Sequence, residues 1–232
     1  MSEPRIALVA EGDTDYVVIQ AALKAILQRP FLLDQLQPEP SRPKLGTGWG
    51  GVFKWCHEFR QRAAPGMETD PTLSDYDLVI VHIDADVADK SYADCGDAVV
   101  QAAVNLHALP CSLACPPPAD TVGNMEAVLS SWLGIPGTGA KSIFCIASKA
   151  TEAWLAAAIL PNDHALLQGL ECNLNLEAQL ARLPKRLRVR KSVRAYRDLA
   201  DVVTLRWGAV TQLCTQADLF DQRMQVMKAA WP

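Results

Sequence analysis

Two apolar runs rich in β-branched residues each stop at acidic residues, and that pairing limits the folds open to this chain. Ile6-Ala7-Leu8-Val9-Ala10 leads into Glu11-Gly12-Asp13-Thr14-Asp15, and Leu78-Val79-Ile80-Val81-His82-Ile83 leads into Asp84-Ala85-Asp86. Short runs that are apolar at almost every position are the pattern of strands buried on both faces, as in a parallel sheet. In such a sheet, ligands bind just beyond the carboxyl ends of the strands. Neighbouring strands would bring Glu11, Asp84 and Asp86 together there. Gathered carboxylates repel one another unless a cation lies between them. Their oxygens suit a hard ion, Mg²⁺ or Mn²⁺, that keeps open positions for water or phosphate.

The rest of the chain alternates strand and helix signals as far as about residue 160. A strand over 5–10 is followed by a helix over Tyr16–Leu27, whose apolar positions recur at helical spacing before Pro30. Residues 35–44 hold three prolines and read as irregular with room for a short strand. The run Gly46-Thr47-Gly48-Trp49-Gly50-Gly51 reads as a flexible connection into a helix over 52–63, since it lacks the Lys-Ser/Thr ending of a phosphate-binding P-loop. Trp49 and Trp55 read as core or loop anchors. After the strand at 78–83, a helix is expected over 93–109, an amphipathic piece over 121–133, a strand over 142–147 and a helix over 151–159. The fold class expected is α/β, with a mostly parallel sheet flanked by helices. Two regions follow, an α/β domain over 1–165 and a helical C-terminal extension over 166–232.

The chain has 232 residues, half of them hydrophobic, which suffices for a sizeable core. Its formal net charge of -4 excludes a protein that coats nucleic acid through bulk charge. The charge is uneven, however. Arg182, Lys185, Arg186, Arg188, Arg190, Lys191, Arg194 and Arg197 fall in a stretch without an acidic residue. The stretch is either a solvated helix face or a surface for backbone phosphates.

Seven cysteines at irregular spacings, with no secretory segment after Met1-Ser2-Glu3-Pro4-Arg5, read as reduced thiols in a cytoplasmic protein. His107, Cys111 and Cys115 offer three soft ligands, one short of a structural zinc site. No apolar run is long enough for a membrane span.

The order strand, Glu11-Gly12, helix, then a strand ending Asp84-x-Asp86 resembles the Toprim domain of topoisomerases, primases, recombination proteins and nucleases of the overcoming-lysogenization-defect family. Glu11-Gly12-x-Thr14-Asp15 together with Thr151-Glu152-Ala153-Trp154-Leu155 resembles, more narrowly, a stand-alone bacterial Toprim-like group often encoded beside ATPases. The resemblance covers about residues 5–160. It implies that Glu11 is a metal ligand or general base, that Asp84 and Asp86 are metal ligands, and that Glu152 is a further acidic group near the metal. It places Asp15 behind that shell and matches Lys191 and Tyr196 to a terminal Lys/Tyr feature. The implied activity is Mg²⁺-dependent cleavage of DNA or RNA, in a defence or mobile-element system with an ATPase partner. No tyrosine is assignable to strand passage.

Two other readings stand beside this one. The same domain could serve as a non-catalytic binding or effector subunit of an ATPase complex. A strand ending Asp-x-Asp is also the signature of haloacid-dehalogenase-like phosphotransferases, although Ala88 stands where that motif has Thr or Val and Glu11-Gly12 has no place in it.

Overall fold

The computed structural model describes residues 3–231. Four strands form one parallel sheet: β1 (Arg5–Val9), β2 (Leu32–Gln37), β3 (Leu78–Asp84) and β4 (Ser142–Ala147), in the order β2-β1-β3-β4. The chain runs from β1 outward to β2, then returns to the other side of β1 to lay down β3. The strand order therefore reverses between β1 and β3, where a parallel sheet opens a crevice at its carboxyl edge. That edge carries Glu11 and Asp84.

Helix α1 (Asp13–Leu27) follows Gly12 directly, with Asp13 and Asp15 in its first turn where the helix dipole favours negative charge. Helix α2 (Gly48–Gln61) starts earlier than expected. Most of the glycine run lies inside it, and only Gly46 and Thr47 remain as connection. Close packing accounts for glycine at position 51, where a Cβ would come within 2.9 Å of the Gly46 carbonyl oxygen. The helix expected over 93–109 is largely absent. Gly96 at φ +89° separates a 3₁₀ turn from the short α3 (Asp97–Ala102), and Asn105 at φ +68° lies in the irregular stretch beyond it. Helix α4 (Pro118–Leu133) has proline at its start and closes on Gly134 at φ +71°.

After β4 comes α5 (Glu152–Ile159), and then α6 (Leu176–Arg182), α7 (Val193–Leu205), α8 (Trp207–Leu213) and α9 (Thr215–Ala229). The last third is helical, as its sequence suggested. It packs on the α/β part, α7 lying along α1, and its Tyr196, Val203, Trp207 and Phe220 share one core with Ile6, Leu8, Ile80 and Cys145 of the sheet.

Cys115 and Cys172 form a disulfide. The reading of all seven cysteines as reduced thiols is therefore corrected, and Cys115 is taken from the His107/Cys111 group. The thiols of Cys56, Cys145 and Cys214 are buried among apolar side chains. No helix among the described residues is long and apolar enough to cross a membrane.

Candidate metal centre

Alternation along β3 sorts its side chains. Leu78, Ile80, His82 and Asp84 face the layer of α1, α5 and the C-terminal helices, whereas Val79, Val81 and Ile83 face α2 and α4. The apolar run therefore ends on one face in two polar residues, both buried.

Asp84 is fixed by backbone contacts on two sides. Its own N–H donates to Glu11 Oε1 at 2.9 Å, and its Oδ1 accepts from the Thr151 N–H at 3.2 Å. Glu11 thus reaches from the end of β1 to the end of β3. Asp86, half-buried two residues later, sits in a 3₁₀ turn whose Asp86 N–H donates to the Lys149 carbonyl at 3.2 Å. Asp15 points inward from the first turn of α1. Its Oδ1 accepts from the Thr151 hydroxyl at 2.7 Å and stands 4.0 Å from His82 Nε2. His82 Nε2 is 3.5 Å from Asp84 Oδ1, and its Nδ1 is 2.8 Å from the Cys145 carbonyl oxygen.

Glu152 is a buried group, not the ordinary surface Glu of a first helical turn. It accepts from the Tyr196 hydroxyl at 2.6 Å and pairs with Lys191 Nζ at 3.0 Å, which also lies 3.3 Å from Glu177. The long-range pairing of α5 with the start of α7 brings these residues together. Asp84, Asp86, Lys149, Glu152, Asn173 and Lys191 line a cleft of about 100 Å³. Its far wall is the loop through Leu170 and Asn173. Glu171 braces that loop by accepting from Ser148, from the Thr215 hydroxyl at 2.8 Å and from the Gln216 N–H at 3.1 Å.

The electrostatics of this edge favour a cation. Burial raises the Glu11 carboxyl to about 8, opposed by the Asp84 N–H and reinforced by Asp15 and Asp86. Burial also pushes Asp84 well above the ordinary aspartate value, with Asp15, Glu11, Glu152 and Asp86 adding to it. Asp86 is raised by burial against the pull of Lys90 and Lys191. His82 is lowered by burial, despite nearby Asp15. Burial works against the Lys191 ammonium, but Glu152 outweighs it and holds its pKa above the lysine norm. Without a counter-ion, several carboxylates here are costly to ionise.

Among the described residues, the group that brings three ligand atoms within 4.8 Å of one another is Asp15, His82 and Asp84. Glu11 joins it through the Asp84 backbone, while Asp86 and Glu152 line the cleft beside it. The expected trio Glu11, Asp84 and Asp86 therefore shares one edge without forming that tight group. His82 was missed in the sequence, although a signal was present: residues two apart in a strand share a face, so His82 had to lie beside Asp84. The residues fit a divalent cation on two counts. The buried His82 Nε2 has no hydrogen-bond partner, and the donor set around it is oxygen-rich and short of positive charge.

Lys191 is the member of the basic stretch that enters the site. Arg182, Lys185, Arg186, Arg188, Arg190 and Arg194 are exposed, and none is in an ion pair among the described residues. Compared with family models, with curated proteins and with solved structures, the chain gives no match.

Proposed function

We propose that this chain is a Mg²⁺- or Mn²⁺-dependent phosphodiesterase acting on nucleic acid, built on a Toprim-like domain. The observation that carries the reading is the meeting of Glu11 and Asp84 at the switch point of a parallel sheet, beside a cleft lined by Asp86, Glu152 and Lys191. A bound divalent ion supplies charge stabilisation and a water of lowered pKa. Glu11, Asp84 and Asp86 would hold it. Glu152, neutralised on one side by Lys191, would keep that ammonium at the mouth of the cleft for a phosphate oxygen. The exposed arginines of the basic segment would track the backbone, with sequence-tolerant and salt-dependent affinity. An ATPase partner and a role in defence or mobile-element biology belong to the same reading.

Glu11→Gln or Asp84→Asn is expected to abolish metal-dependent cleavage of DNA or RNA while leaving the protein folded. The outcome that defeats the enzyme reading is a wild-type protein that cuts neither nucleic acid with Mg²⁺ or Mn²⁺, even beside its ATPase. A non-catalytic subunit of an ATPase complex is the second reading. It draws on Leu205, Leu213 and Val226, which are exposed apolar side chains on the C-terminal helices.

A further inference from the structure

The arrangement around His82 leaves three electron-rich atoms facing one another. A carbonyl oxygen only accepts, so the contact of 2.8 Å with Cys145 O fixes the proton on Nδ1. The neutral ring then aims the bare lone pair of Nε2 at Asp84 Oδ1, 3.5 Å away, and at Asp15 Oδ1, 4.0 Å away. The His82 side chain is fully buried and Nε2 has no donor. A single proton relieves this poorly, because the shorter separation is at the limit of a hydrogen bond and the longer is beyond it.

A metal ion relieves it better. With bonds of about 2.0–2.2 Å, ligand atoms around one ion stand roughly 3–4 Å apart. The two measured separations fall in that span. The surroundings also hold each ligand in orientation. Nδ1–H is tied to a backbone carbonyl, and Thr151 donates to both carboxylates, through N–H to Asp84 and through Oγ1–H to Asp15. Such outer contacts set the tautomer and angle of metal-binding side chains.

We propose that Asp15, His82 and Asp84 form a buried cation site of one nitrogen and two oxygen ligands, which takes a transition-type divalent ion such as Mn²⁺ or Zn²⁺ in preference to Mg²⁺. The imidazole sets the preference, since Mg²⁺ demands oxygen ligands and imidazole suits the later metals. The site shares Asp84 with the outer edge defined by Glu11 and Asp86. It rests on the proposed function only through that shared carboxylate, and it does not require cleavage. Because all three side chains are buried, an ion held there exchanges slowly.

The test strips the full-length protein with chelator, loads Mn²⁺, desalts it and records pulsed electron paramagnetic resonance. Wild type should retain Mn²⁺ in excess Mg²⁺ and show ¹⁴N modulation from a coordinated imidazole. His82→Asn keeps an N–H for the Cys145 carbonyl but removes Nε2. It should lose the modulation and bind Mn²⁺ at least about tenfold more weakly. If His82→Asn fails to fold, Asp15→Asn should weaken retention by a similar factor. Retained Mn²⁺ without ¹⁴N modulation overturns the inference and leaves the outer metal reading intact. Failure to retain any Mn²⁺ overturns it as well, as does modulation that survives unchanged in His82→Asn or Mn²⁺ retention that is unchanged in Asp15→Asn. Nitrogen modulation without cleavage would sustain this site while defeating the nuclease reading.

Discussion

The two faces of the sheet are built from the same strands and do opposite things. The face toward α2 and α4 is dry. Val79, Val81 and Ile83 meet Phe53, Phe59 and Trp132, and Phe53 packs edge-on against Trp132 with ring centroids 5.2 Å apart. The face toward α1, α5 and α7 starts equally apolar at Leu78 and Ile80. It then gives way to His82 and Asp84, and onward through Thr151 to Asp15. Glu152, Tyr196 and Lys191 extend the polar patch on the same side. A buried polar chain contributes little to stability by itself, and its charged members cost solvation. One face therefore holds the fold, and the other spends some of that stability on a site.

The contrast breaks most sharply under substitution. Phe59→Ala on the dry face is expected to cost about 3–5 kcal/mol, through lost burial and the cavity it leaves. Asp84→Asn on the wet face should act in the other direction for the metal-free protein. It removes a carboxylate that burial and four neighbouring acids already disfavour. The same variant should lose the stabilisation that added Mn²⁺ gives to wild type. Urea melts with and without metal measure both signs, and a strongly destabilised metal-free Asp84→Asn would show that the charge is better satisfied than its surroundings indicate.

A pH series sharpens the same comparison. Glu11 rises from an ordinary carboxylate value to about 8 in the folded chain, and Asp84 and Asp86 also rise. Raised carboxylates mean that the folded state holds more protons than the unfolded state. Stability of the metal-free protein is then full below the unfolded carboxylate pKa near 4.5 and falls as pH climbs toward about 8. Metal binding requires the ionised forms, so the stabilisation from Mn²⁺ should grow over that same interval. Thermal melts from acid to mildly alkaline pH, with and without Mn²⁺, check both slopes. A metal-free stability that rises toward pH 8 would contradict the burial of these groups.

Most of this frame was legible in the sequence because period and punctuation carry it. The runs at 6–10, 78–83 and 142–147 read as buried strands, and the acidic endings of the first two marked the carboxyl edge. What stayed hidden depended on contacts between distant residues. The disulfide of Cys115 with Cys172 joins positions 57 residues apart, and nothing local identifies the pair. The break at Gly96 looks like a tolerated helix glycine until its positive φ is known. The partners of Glu152 come from just before α7 and from α7 itself, 39 and 44 residues later. His82 was different, because its face followed from β3 itself. It was passed over because it sat inside an apolar run and looked like part of the core.

Tyr196 tests how tightly the wet face is tied to the C-terminal helices. Its hydroxyl donates to Glu152 at 2.6 Å inside the core, and a hydrogen bond to a charged partner contributes about 1.5–3 kcal/mol. Tyr196→Phe keeps the ring and its packing while removing that donor. The expected loss lies in this range, and Glu152 is left paired with Lys191 alone. Denaturant unfolding gives the number, and the double variant Tyr196→Phe with Glu152→Gln should lose less than the sum of the single changes, since both remove one interaction. Additive losses would mean that the two side chains are not coupled.

The smallest effects are expected outside both faces, on the exposed basic segment. Arg186 and Arg190 are solvent-exposed and, among the described residues, lack acidic partners, so removing either charge should leave folding within about 0.5 kcal/mol of wild type. Their contribution would appear only toward a polyanion. If each meets one backbone phosphate of duplex DNA, Arg186→Gln and Arg190→Gln should each reduce the slope of log affinity against log salt by about 0.9, for any sequence of duplex. Lys191 is the contrast within the same run: its ammonium is held at the cleft by Glu152 and Glu177, so Lys191→Gln should disturb the cleft, its stability and cleavage more than the salt slope. Equal slopes for wild type and both arginine variants would assign the segment to solvation alone, and the basic run would then have marked a solvated connection between α6 and α7 and not a path for nucleic acid.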